Sequence, residues 1–390
     1  MKPIIICPGF GGSILVNRNA PTKKIFHKPI VDNRWLQLNP KRWKMDHEAD
    51  IISYEGRVQG FNVHNPDIIP YDFGGLNGVR NISHELMFIA NCLSPLQLQD
   101  ELETRFNHSY FDSLIRYLEK EKGYGNETLF AAPYDFRYIL DPITRLQTFT
   151  KFKHLIETSH KRQKVVLICH SLGAIVMKWF LNDMDSRYPG WTAAHVDTLI
   201  AINPPFGGMP RVLKSFLSGE HYIKPFRKFI LKPLQYNCGL IMMLPNELGY
   251  EPGDPFLQIG SDKVDVTYNT SGHLNLKVPL AIWRELFRPF IPLIRLPTDV
   301  NAVIIQSDPT PNTLTYLKYA KDLLPGDNPE EEGLGLGDGM VPLSSIEAYK
   351  KIFSSDRVRV HSIPSFSETQ AKHGTIIYDA EFFKTINYYL

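Results

Sequence analysis

The stretch VVLICHSLGAIVMKWF (165–180) changes character in its middle. Val165 to Ile168 are continuously apolar and read as a buried strand, while Ala174, Ile175, Met177 and Trp179 suit a packed helix. Between them, Ser171 falls in a turn that also contains Gly173. A sharp strand-to-helix turn lifts a serine hydroxyl clear of a sheet, the geometry of a nucleophile elbow, usually written G-x-S-x-G. Here Cys169 takes the place of the first glycine and Gly173 keeps the second. So short a pattern recurs by chance, and the surrounding chain has to decide its meaning.

The flanking segments repeat the same alternation. Residues 3–7 predict a strand, followed by the glycine-rich turn PGFGG at 8–12. SYFDSLIRYLEKE (109–121) carries Phe111, Leu114, Ile115 and Leu118 on one helical face, and Gly123 and Gly125 end it. ETLFAAPYDFR (127–137) predicts a strand entering a loop, and 141–160 a helix. AAHVDTLIAINPP (193–205) and NAVIIQ (301–306) predict further strands. A loop then reaches Gly337-Asp338-Gly339, DRVRVHSIP (356–364) predicts the last strand, and 375–390 a closing helix. Strands that alternate with helices predict an α/β fold with a mainly parallel sheet. Residues 17–100 are irregular and 209–298 are long, aromatic and proline-rich, which breaks the rhythm. Glu330-Glu331-Glu332 predicts a solvated loop.

Composition narrows the class without naming it. A chain of 390 residues, 43% hydrophobic and 22% charged, can bury a large core. Its 43 basic and 41 acidic residues nearly cancel, so nothing in the overall charge calls for nucleic acid. The four cysteines, at 7, 92, 169 and 238, have neither metal-ligand spacing nor a dense disulfide pattern and read as reduced thiols. No metal or cofactor is implied. The opening apolar run is too short for a signal peptide, and no window approaches the ~18 apolar residues of a spanning helix. The expectation is a cytoplasmic protein or one peripheral to an intracellular membrane.

A serine hydroxyl at neutral pH needs a base, usually histidine, held in its tautomer by a carboxylate. After a nucleophile elbow the chain order is Ser, then Asp or Glu, then His, on loops at the carboxyl ends of strands. Ser171, Asp338 and His373 fit that order. Asp308 in QSDPTP is the rival acid. His361 is the rival base, but it lies inside the predicted last strand. The oxyanion that develops needs preorganised N–H donors. The amide of Leu172, directly after the serine, and that of Phe10, in the turn after the first strand, are the expected pair. PGFGG lacks the lysine and the spacing of a phosphate loop.

With these residues in place, the chain resembles the lecithin:cholesterol acyltransferase family, which includes lysosomal phospholipase A and the phospholipid:diacylglycerol acyltransferases. PGFGGSIL resembles its Pro-Gly-x-x-Gly oxyanion loop, Trp35-Leu36-Gln37-Leu38-Asn39 its W-L-D-L-N segment, and Ala132 to Arg137 its A-P-Y-D-W-R. NPPFGGMPRVLKSFLSGE is similar to its A-P-W-G-G segment, GDGMVPLSS to its G-D-G-T-V acid loop, and KHGTII lies where it has its histidine. The resemblance implies a single α/β-hydrolase domain over 1–390, with a lid and membrane-interaction region at about 17–100 and a cap at about 209–298. It implies removal of a fatty acyl chain from a phospholipid onto Ser171 and transfer to a lipophilic alcohol or to water, with Asp338 as acid and His373 as base. It supports Phe10 and Leu172 as oxyanion donors, puts Trp35, Phe136 and Phe206 at the lid and pocket, and makes Asp135 and Arg137 a structural ion pair. Gln37 and Phe136 depart from the family's Asp and Trp, and no cysteine between Cys7 and Cys92 can staple a lid at 17–45.

An acyl donor in a bilayer calls for an interfacial surface. Residues 224–234 interleave Lys224, Arg227 and Lys228 with Phe226 and Phe229 and contain no acid, a pattern suited to anionic headgroups above an acyl boundary. Residues 282–297 are a second such stretch. For both, the alternative is a segment packed on the core with its basic groups in water. A soluble carboxylesterase or thioesterase, and a lipid-binding protein that has kept the fold without its chemistry, stay open beside the acyltransferase reading.

Overall fold

The computed structural model describes residues 1–13, 15–17, 20–24, 68–80, 110–159, 163–219, 231, 234–268, 274–295, 300–364 and 373–390. The first strand, β1 (Ile4–Cys7), precedes a small antiparallel group, β2 (Leu15–Asn17), β3 (Ala20–Lys24) and β4 (Ile68–Pro70). Helix α1 (Asp112–Lys122), strand β5 (Leu129–Ala131), helix α2 (Pro142–Ser159) and strand β6 (Val165–His170) lead to helix α3 (Leu172–Arg187). Strand β7 (Val196–Ile202) and helix α4 (Arg211–Ser218) precede the antiparallel pair β8 (Leu257–Ile259) and β9 (Asp262–Val264). Strand β10 (Asn301–Ser307), the antiparallel pair β11 (Thr310–Tyr319) and β12 (Glu331–Gly337), strand β13 (Val358–Ile363) and helix α5 (Ala380–Asn387) complete the chain.

Six strands form one parallel sheet in the order β13-β10-β7-β6-β1-β5. The continuous apolar runs seen in sequence are what such strands need, because both faces are covered. Alternate residues go to opposite sides. Ile5, Leu167, Leu199 and Ile304 join one buried cluster with Phe152 of α2 and Trp179 of α3. Ile4, Ile168, Ile200 and Ile305 join a second with Leu114 of α1 and Phe382 of α5. The chain passes from β1 to the edge strand β5, then returns to β6 and proceeds the other way. The gap between the loops leaving β1 and β6 is therefore a topological switch point, where open α/β sheets place their binding crevice. This order, with a serine turn after β6, is that of an α/β-hydrolase.

Four expectations are revised. Ala193, Ala194 and His195 belong to a short helix, Trp191–His195, and the strand begins only at Val196. The segment before Asp338, expected as a loop, is the β11–β12 pair, and β8 adds to β11 in parallel to make a second, four-stranded sheet. Glu331 and Glu332 lie on β12 rather than in a loop, with Glu332 ion-paired to Lys214 at 2.8 Å. The stretch 282–295 is core packing: Trp283, Phe287, Ile291 and Ile294 are buried, while Arg284, Arg288 and Arg295 face solvent. Its main apolar face is thus directed inward, with Phe287 against Trp179, as the packed alternative expects.

Lys178 is an unusual resident of this core. It is fully buried on α3, its Nζ donating to Asn182 Oδ1 at 3.0 Å and lying 5.3 Å from the Phe353 ring centre. Burial lowers its pKa to about 7, partly offset by the Asp185 charge. An unfolded lysine stays protonated to ~10.4, so between pH 7 and 10 the unfolded chain binds more protons and folding stability rises with pH. Lys178→Met removes that titration. In urea unfolding, the wild-type chain should gain stability relative to Lys178→Met as pH climbs from 7 to 10, and a difference independent of pH would contradict the assignment.

Candidate active site

Ser171 sits between the last residue of β6 and the first of α3, with φ 51° and ψ −128°. A non-glycine residue held there stores strain of about 1–3 kcal/mol, which only a tightly determined surrounding maintains. That surrounding is visible. The Ser171 amide donates to Ile202 O at the end of β7 at 2.9 Å. A Cβ on Gly173 would lie 2.5 Å from Pro8 O and 2.7 Å from Cys7 O, so α3 can start this close to the β1 loop only with glycine. A Cβ on Gly9 would lie 2.9 Å from Ser171 Cβ. Cys169, where the elbow pattern has its first glycine, is fully buried on β6 beside Cys7 in register, and burial pushes its thiol well above the usual range.

The structure brings together the three residues that the chain order selects. His373 Nδ1 lies 2.7 Å from Asp338 Oδ2, and its Nε2 lies 2.8 Å from Ser171 Oγ. A carboxylate only accepts, so Nδ1 carries the proton and Nε2 is left to accept from the serine hydroxyl. Asp338 follows β12 and is fully buried. Its Oδ1 accepts from the amides of Met340 at 2.9 Å and Val341 at 2.7 Å, which leaves Oδ2 for the imidazole. Thr313 Oγ1 accepts from the Gly339 amide at 2.8 Å and Arg211 donates to Gly339 O at 3.1 Å, fixing the turn on both sides. The two rivals are placed on or beside the edge strand β13. The Asp308 amide caps β13 through Ile363 O, and His361 on β13 contacts the Tyr389 hydroxyl.

Two residues to which the sequence assigned no role complete the cluster. His170, the last residue of β6, is buried, and its Nε2 lies 2.8 Å from the His373 carbonyl oxygen. A carbonyl only accepts, so Nε2 bears the proton and Nδ1 accepts from the Tyr110 hydroxyl. Tyr110 in turn accepts from the Gly9 amide at 2.9 Å. Burial, reinforced by the His373 charge, lowers the His170 pKa to about 3 and keeps the ring neutral. Asn203, directly after β7, adds a second donor to the His373 carbonyl at 3.2 Å. Adjacency to the serine was the one signal for His170, and Tyr110 offered none.

Phe10 follows Gly9, where a Cβ would lie 2.9 Å from Ser171 Cβ, and Leu172 opens α3 directly after the serine. Phe136 packs edge-on against Phe10, ring centres 4.9 Å apart, and Phe206 is buried against Phe353. Asp135 and Arg137 form a buried, two-pronged pair, Nε to Oδ1 at 2.9 Å and Nη2 to Oδ2 at 2.7 Å. Trp35, Lys224, Phe226, Arg227, Lys228 and Phe229 lie outside the described residues, as does most of the expected lid.

Comparison with known proteins points the same way as the motifs. Residues 97–269 match the family model for lecithin:cholesterol acyltransferase. Lecithin-cholesterol acyltransferase-like 1 of Arabidopsis thaliana is 29% identical, over 89% of this chain and 82% of its own. Phosphatidylcholine-sterol acyltransferase of Gallus gallus is 24% identical, over 65% of this chain and 60% of its own. The phospholipid:diacylglycerol acyltransferase of Saccharomyces cerevisiae is 32% identical over 25% of this chain, which spans only 16% of that protein. Among solved structures, a chain of the Tle4-Tli4 complex covers 98% of this one at 14% identity, with a TM-score of 0.43. The matched domain and the relatives support the family that the motifs resemble, lecithin:cholesterol acyltransferase.

Proposed function

We propose that the chain is a serine acyl-ester hydrolase and O-acyltransferase that moves a fatty acyl group from a phospholipid to a lipophilic alcohol or to water. The observation that carries the proposal is the His373 imidazole, within hydrogen-bond reach of both Ser171 Oγ and Asp338 Oδ2. In the first half-reaction Ser171 Oγ attacks the ester carbonyl and His373 Nε2 takes its proton. The oxyanion that forms is stabilised by the amides of Phe10 and Leu172, and Asp338 stabilises the imidazolium. Collapse expels the lysophospholipid oxygen, which takes the proton from His373, leaving an acyl-serine. An alcohol or water, deprotonated by the same nitrogen, then attacks the acyl-serine and restores the hydroxyl.

The relatives' names supply the substrate class. A phosphatidylcholine-sterol acyltransferase and a phospholipid:diacylglycerol acyltransferase share a phospholipid donor and differ in the acceptor. The donor lies in a bilayer, and no helix among the described residues is long and apolar enough to cross one. The proposal therefore includes peripheral contact through Lys224, Phe226, Arg227, Lys228 and Phe229, with residues 17–100 and 209–298 acting as lid and cap of the one hydrolase domain.

Release of fatty acid and acylated alcohol from phosphatidylcholine vesicles containing a lipophilic alcohol tests this directly. Ser171→Ala and His373→Ala should each lower both products by about 10³-fold or more. The melting temperature of Ser171→Ala should hold within a few degrees, because one hydroxyl contributes little packing. His361→Ala should leave the rate near wild type. Wild-type turnover in Ser171→Ala would put the nucleophile elsewhere.

A further inference from the structure

The chemistry assigned above uses Ser171, His373 and Asp338, yet the polar cluster behind them extends further into the protein. Gly9 N–H donates to Tyr110 Oη, Tyr110 O–H donates to His170 Nδ1, and His170 Nε2–H donates to His373 O. The direction of the chain is forced from one end by the carbonyl, which only accepts, and from the other by the amide, which only donates. Both side chains are buried, at 5% exposure for Tyr110 and 3% for His170.

We propose that Tyr110 and His170 are positioning residues that tie the loop carrying the base to the loop carrying the oxyanion donor, a role that rests on the catalytic reading of Ser171, His373 and Asp338. One end of the chain is the amide beside Phe10. The other is the backbone of His373 itself. The imidazole is fixed at its tip by Asp338 and Ser171, but its Cα is fixed only through the main chain. There the His373 carbonyl receives two donors, His170 Nε2 at 2.8 Å and Asn203 Nδ2 at 3.2 Å. These come from the last residue of β6 and the residue directly after β7, two adjacent buried strands of the central sheet. The neutrality of His170 is part of the device, because its ring centre is 5.0 Å from that of His373. A cation at that distance would oppose the imidazolium that the reaction creates.

Filling space calls only for an aromatic ring at 110 and a flat side chain at 170. Positioning calls for the hydroxyl and for one donor and one acceptor. Tyr110→Phe removes the hydroxyl alone. His170→Leu removes both polar atoms, while His170→Gln keeps an acceptor for Tyr110 and a donor for His373 O. The probe is p-nitrophenyl butyrate, a dispersed ester, so that membrane contact plays no part. Tyr110→Phe and His170→Leu should each lower kcat by ~10-fold, the effect of one lost oriented hydrogen bond, with KM within ~2-fold of wild type. Links of one chain fail together, so the double variant should be no slower than the slower single variant. His170→Gln should recover most of the rate lost in His170→Leu.

If His170→Leu does not fold, Tyr110→Phe carries the test, since it keeps the ring and its packing. Wild-type kcat in Tyr110→Phe, losses that multiply to ~100-fold in the double variant, or a His170→Gln rate as low as that of His170→Leu would each overturn the proposal. Ser171→Ala assayed in parallel separates the two levels. If it is inactive, such a result removes the positioning role alone; if it turns over the ester, the catalytic reading falls and the positioning role with it.

Discussion

The site depends on one constraint: Ser171 must occupy a left-handed backbone conformation at the point where the parallel sheet changes its direction of winding. At φ 51° the residue resists a helical or an extended path, so its hydroxyl stands out between the loops that leave β1 and β6. Locally only the Ala174 amide, donating to Ser171 O at 2.9 Å, is seen to support that conformation. It is held by the β7 carbonyl below it, by the close approach of Gly173 to Pro8 and Cys7, and by the packing of α3 on the sheet. A single carbon added at Gly173 would meet Pro8 O and Cys7 O at 2.5 and 2.7 Å and push α3 off the β1 loop.

From this fixed point the remaining groups are located by strand ends. β7 contributes Asn203 to the His373 backbone, β12 delivers Asp338, and β11 supplies Thr313 to the turn that follows. The β8–β9–β11–β12 sheet therefore contributes to the site even though it lies outside the central sheet. Its edge strand β12 ends directly before Asp338, so the pairing of β11 with β12 locates the carboxylate. The buried Asp135–Arg137 pair acts differently. It braces the loop after β5, whose Phe136 ring packs on Phe10.

Much of this was legible in the residues, and what was not has physical reasons. The central strands were readable because parallel strands covered on both faces have to be apolar over their length, and Ile4–Cys7, residues 165–169 and residues 302–305 are. Ser171, Asp338 and His373 were readable because a nucleophile elbow requires their order along the chain. The β11–β12 pair was missed because Gly333-Leu334-Gly335-Leu336-Gly337 has strand period but glycine composition, which reads as a loop. Residues 193–195 were misread because Ala193 and Ala194 run straight into the apolar strand, and only Gly190 with φ 82° marks the start of the helix. The link between Tyr110 and His170 was invisible for a different reason. Their significance lies in contacts 60 and 203 residues apart, which no periodicity or motif records.

The account stands on Ser171 being a nucleophile activated by His373. Labelling with a fluorophosphonate, followed by mass spectrometry of the peptides, measures this most directly. A single adduct on Ser171, formed rapidly by the wild-type chain and at least about a hundredfold more slowly by His373→Ala, is the predicted result. An adduct on another residue, or labelling of Ser171 at an undiminished rate without the imidazole, would contradict it.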